Sequence, residues 1–114
     1  MITGANQILV NTGVPNTTLL SSQSLVATGS AVQLYSTPKI VQATVSGSGA
    51  VNAVVNIYGS VTNSNTAGVL IATLQPTGTN TGQDGAYIPS PWPYMYADVT
   101  VLASGASVSV TVGQ

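Results

Sequence analysis

A chain of 114 residues accommodates one domain with one core, and at 44% hydrophobic residues it is too apolar for disorder. Charge is nearly absent: 3% of residues carry it, namely Lys39, Asp84 and Asp98. A single lysine without arginine cannot follow a phosphate backbone, which excludes nucleic-acid binding, and no run of about 18 apolar residues is present to cross a membrane as a helix.

In chain order, residues 1–22 are irregular, with Gly13 and Pro15 interrupting any period. They read as an extended arm with a short strand over Gln7–Val10. The arm would lay Ile8, Leu9 and Val10 on a neighbouring subunit by strand addition; an ordinary edge strand followed by a loop is the alternative. The N-terminus lacks the basic flank of a signal peptide, so synthesis and assembly in the cytoplasm are expected. Residues 23–114 read as the folded domain. "SLVAT" and "AVQLYS" flank Gly29–Ser30 as a weak hairpin. "KIVQATV" and "AVNAVVNIY" alternate in polarity around "SGSG", Ser46–Gly49, which predicts a second hairpin.

"TNSNTAG" reads as a polar loop, and "VLIATL", apolar on both faces, as a central strand. "QPTGTNTGQDG", Gln75–Gly85, reads as a long loop. In "YMYADVTVL", Met95, Ala97, Val99 and Val101 share one face, with Tyr94, Tyr96, Asp98 and Thr100 on the other. "SVSVTVG" alternates strictly, with Val108, Val110 and Val112 inward, and "ASGAS" predicts a hairpin between these last two strands. No stretch repeats apolar residues at helical spacing, and Val and Thr dominate. The fold class expected is all-β: a single antiparallel β-sandwich, jelly-roll or immunoglobulin-like, of about seven strands.

"IPSPWPY" places Pro89, Pro91 and Pro93 at alternate positions. None can donate to a strand ladder, so the segment is a stiff extended approach that side chains must pin. Trp92 is the obvious pin, either plugging one end of the core or serving as an interface anchor. Tyr94 and Tyr96 face away from Met95, which makes them candidates for a partner surface along with Tyr58.

Chemistry finds little to work with. The chain has no His and no Cys, which removes the commonest general base, metal ligand and thiol nucleophile. Asp84 and Asp98 would have to meet to form a carboxylate pair. A calcium site from Asp84, Asn80 and loop carbonyls lacks carboxylate density. Lys39 could instead form an isopeptide bond with an Asn if Asp98 lay nearby. No enzymatic activity, cofactor, metal or small-molecule substrate is expected. A surface of Ser, Thr, Asn and Gln repels neighbours weakly, which points to a homo-oligomer or larger assembly.

From Lys39 onward, "VSGSGAVNAVVNIYGS", "LIATLQPTGT" and "PWPYMYADVTVLASGASVSVTVG" resemble the small all-β structural proteins of tailed bacteriophages. In that group a strand ending in a Gly-Ser loop is followed by a second strand, and a Pro-Tyr step leads into a closing hairpin of alternating Val and Thr. The chain departs from the pattern at "SVTNSNTAG", where relatives carry Asp-Gly and Trp, and at Tyr96, near which many carry Arg. The resemblance implies a virion component: a decoration or cement protein on the capsid exterior, bound to the major capsid protein and to its own copies. The alternative it implies is a head-fibre or tail module that attaches to a receptor or glycan, for which Trp92 with Asp98, or Tyr58 with Asn56, would offer an aromatic platform.

Overall fold

The computed structural model describes residues 16–34 and 39–113, Lys39 by its backbone alone. These residues form seven strands: β1 (Thr17–Gln23), β2 (Val32–Gln33), β3 (Lys39–Ser60), β4 (Val69–Leu74), β5 (Thr77–Ile88), β6 (Tyr94–Leu102) and β7 (Ser107–Gly113). Every pairing is antiparallel, and the strands join into one sheet coiled nearly into a barrel. No helix occurs among the described residues.

The 22-residue β3 organises the rest. Along one edge it pairs with β6 over Ala53–Ser60 and with β7 over Ile40–Ser46. Along the other it pairs with β4 over Val55–Gly59 and with β5 over Lys39–Asn52. β6 and β7 therefore lie end to end, as do β4 and β5. The N-terminal part behaves likewise. β1 pairs with β7, and residues 27–34 continue along β6 through Val99 N–H to Ala27 O (2.9 Å), Gly29 N–H to Ala97 O (2.9 Å) and the pairing of β2 with Tyr94 and Met95. Four long runs lie side by side.

Two predicted hairpins are corrected by this register. "SGSG" lies inside β3, and "ASGAS" links collinear strands that pair with β3 and not with each other. The glycines serve a bend. Ser46–Ala50 of β3 opposes only Thr79–Thr81 of β5. There Gly49 has φ +81° and Asn80 φ +65°, and Asn80 Oδ1 accepts from Gly49 N–H at 2.8 Å. At the same level Gly105, at φ +77°, lies between β6 and β7. Such insertions bend a strand without reversing it.

Three further expectations change. Gln75–Gly85 is mostly strand, since Thr77–Gly85 lies in β5. β4 is an edge strand, paired to β3 alone among the described residues. Residues 24–34 form no hairpin, because both halves of that stretch run along β6. The last residues of the predicted arm, from Thr17, belong to β1, and Ile8, Leu9 and Val10 lie outside the described residues.

The core follows the alternation. Val41, Ala43 and Val45 of β3 pack with Val108, Val110 and Val112 of β7. Beyond the bend, Ala53, Val55 and Ile57 pack with Met95, Ala97 and Val99 of β6. Leu19, Leu20, Leu34, Val51, Leu74, Ile88 and Ala106 complete one apolar cluster. Val101 departs from the predicted inward face and is 45% exposed. The cause is a bulge: Val55 opposes Val99 while Val54 opposes Val101, so the extra residue, Thr100, moves Val101 to the other face.

Candidate functional site

The proline segment is pinned as predicted, and the structure shows how. Trp92 packs against the core, half-buried, with its indole laid flat on Gly59 of β3. A Cβ at Gly59 would lie 2.5 Å from the indole Cγ and 2.7 Å from Cε2. Pro93 O accepts from Leu34 N–H at 2.8 Å, which ties the segment to the end of β2. Trp92 is thus a packing residue rather than a protruding anchor.

Tyr94 and Tyr96 lie on the face opposite Met95, as alternation requires, but that face is covered. Tyr96 is only 3% exposed. Its hydroxyl accepts from Gly68 N–H at 2.9 Å, and its ring stacks on that of Tyr58, directly across on β3, at 5.0 Å and 10°. Tyr94 is half-buried, flanked by Ser60 and Gln33. The cover comes from residues 27–30, along β6, and from the loop 61–68. Asn65 Nδ2 of that loop donates to Gly29 O at 3.0 Å, and Thr28 Oγ1 donates to Asp98 Oδ1 at 2.9 Å. The expectation that Tyr96 is an outward contact residue is therefore corrected. Thr28, Asn65 and Gly68 were missed because their sequence signal is only that of polar loop residues.

The exposed surface that a partner would meet lies elsewhere. Tyr87 on β5 is 60% exposed, and its cross-strand neighbour Ile40 on β3 is 52% exposed. Beside them runs the outer edge of β4 and β5. Among the described residues no strand pairs with it. From Thr81 to Ile88 the pairing of β5 with β3 is unbroken, so this stretch of edge is regular. Its single charge, Asp84, is turned to its own backbone: Oδ1 accepts from Gly85 N–H and Oδ2 from Gln75 N–H, each at 2.9 Å. The alternation of Ile40 away from Val41 was the available signal for Ile40. Tyr87 had none, because the stretch leading to it, Gln75–Gly85, has the composition of a loop and hides the strand.

The remaining polar candidates are separated. Asp84 lies opposite Ala43 in one half and Asp98 opposite Asn56 in the other, so the two carboxylates do not form a pair. Lys39 begins β3, whereas Asp98 pairs near its far end, which removes Asp98 as the proton-handling partner of an isopeptide at Lys39. No group of three metal-binding side chains occurs among the described residues. Asn80 and Asp84 each face backbone N–H donors, an arrangement that suits hydrogen bonding and not a cation.

No protein-family model, curated protein or solved structure matches the chain.

Proposed function

We propose that the protein is a structural component of a virion, a decoration or cement protein that binds the capsid exterior and other copies of itself by non-covalent contact. The observation that carries this reading is the long, nearly uncharged edge of β4 and β5. Soluble proteins commonly blunt such edges with lysine or other charges. Here the one carboxylate on the edge is engaged with its own backbone N–H groups. Backbone pairing along this edge on either side of Gly85, whose N–H Asp84 Oδ1 already takes, with Ile40 and Tyr87 adding apolar contact, gives adhesion without ion pairs. In this reading the two halves on either side of the bend act as the two facing layers of a sandwich. The resemblance of residues 39–113 to small phage structural proteins supplies the virion context.

Two measurements test it. Purified virions washed in about 1 M salt, where the Debye length is about 3 Å, should retain the protein over the shell. Absence from the particles, or release by salt alone, would refute the assignment. In sedimentation of the isolated protein, Thr81→Lys and Gln83→Lys together should shift oligomers to monomers without changing the circular dichroism. A wild-type chain that stays monomeric at high concentration would refute self-association through this edge.

A further inference from the structure

The covered outer face of β3 and β6 is not fully filled. Where residues 27–30 and the loop 61–68 meet, they leave a cleft of about 200 Å³ lined by Thr28, Tyr58, Asn65, Thr66, Tyr96 and Asp98. A second cleft, of about 350 Å³, is lined by Ser30, Asn63, Ser64 and Asn65. Asn65 lines both, so the two clefts adjoin at its side chain and are taken together as a trough; the larger alone falls within the range of about 300–1,000 Å³ typical of small-ligand sites.

The lining restricts the chemistry of an occupant. One end has an aromatic floor, the stacked Tyr58 and Tyr96. The walls are hydroxyls and amides, which disfavour an apolar guest. No cationic side chain lines either cleft, and Asp98 would repel a phosphate or carboxylate. A single carboxylate is too few for a divalent cation. Of the two oxygens of Asp98, only Oδ1 accepts a hydrogen bond from a described residue, Thr28. Asn65 is held by its Nδ2 on Gly29 O, which fixes the amide and leaves its Oδ1 as an acceptor. The trough thus offers an aromatic ring beside fixed acceptors, one of them charged.

We propose that this trough binds a neutral saccharide of one or two sugar units. A pyranose presents a face of C–H groups, which suits a tyrosine ring, and a rim of hydroxyls, which suits Asp98 Oδ2 and Asn65 Oδ1 as acceptors. Tyr58, the more exposed of the aromatic pair, carries the stacking. Tyr96 stacks beside it from the neighbouring strand and is itself held by Gly68. The polar cleft beyond Asn65 takes the second unit. This site lies on a different face from the β4–β5 edge and stands whether or not the protein is a virion component.

The test is a chemical-shift titration of the isotope-labelled full chain with glucose, galactose, mannose, N-acetylglucosamine and their disaccharides. At least one should give saturable shifts centred on Tyr58, Asn65, Gly68 and Asp98, with Kd on the order of 1 mM. Asp98→Asn keeps the shape and removes the charge, so affinity should fall about tenfold, the equivalent of one charge-assisted hydrogen bond. Tyr58→Leu, which leaves the Asp98–Thr28 contact in place, should abolish binding while the amide spectrum stays dispersed. No saturable shift with any of these sugars would overturn the proposal. So would unchanged affinity in both variants, or saturation by n-butylammonium in place of sugar, which would make the trough an ammonium site.

Discussion

Gly59→Ala tests the packing of the proline segment directly. The added Cβ would lie 2.5 Å and 2.7 Å from two indole carbons of Trp92, where carbon contacts settle at about 3.5–4.0 Å. The indole would have to retreat by roughly 1 Å, at an overpacking cost of about 1–3 kcal/mol. Replacing a strand glycine returns about 0.5–1 kcal/mol of backbone entropy. The net loss expected is therefore about 1–2 kcal/mol, which for a domain near 100 residues, at about 4–8 °C per kcal/mol, lowers the Tm by roughly 4–16 °C. The diagnostic is a double-mutant cycle with Trp92→Ala, followed by far-UV circular dichroism in urea because the variant lacks the only tryptophan. With the indole gone, Gly59→Ala should become neutral or slightly stabilising. That predicts a coupling well above the roughly 0.3–0.5 kcal/mol within which independent sites add. Additive effects would refute the claim that Trp92 rests on Gly59.

Two other substitutions probe the covered face and the bend. Tyr96→Phe should cost about 1 kcal/mol, the net worth of the Gly68 hydrogen bond, whereas Tyr96→Ala should cost about 3–5 kcal/mol as a buried aromatic truncation; denaturation midpoints measure both, and an unchanged midpoint for the alanine variant would restore Tyr96 to the surface. At Asn80, glycine should cost about 1 kcal/mol for the lost bond to Gly49, and alanine about 1–2 kcal/mol more because it must adopt positive φ. The same unfolding assay ranks them, and equal stability of the two variants would contradict the backbone conformation described for Asn80.

Alternation made much of the fold legible. The inward valines of β7 and the inward Met95, Ala97 and Val99 of β6 were readable because period two survives in any half-buried strand. Pairing was not readable from the same pattern. Ser46–Gly49 and Gly105 carry a turn composition, and a local reading cannot tell a reversal from a bend; that depends on whether the flanking strands find each other or a longer partner. β5 was hidden for a related reason. Thr77–Gly85 has the composition of a loop, and register with β3 overrides it. At the candidate sites, the facing of Tyr96 was correct and its burial was not, since the cover comes from Gly68, distant in sequence. Asn65 and Thr28 gain meaning only where their two segments meet beside Asp98.

The pairing of β1 with β7 has a consequence for how the molecule is made. Among the described residues β1 has one strand partner, β7, which is made last, and one edge of β3 gains its described partners only when β6 and β7 arrive. On a ribosome adding about 5–20 residues per second, most of the apolar ribbon is exposed for several seconds with its ladders unfilled. Loss of β7 would leave Leu19, Leu20, Val41 and Val45 without the strand that shields them. The nascent chain is therefore at its most vulnerable to wrong partners just before the final valines emerge.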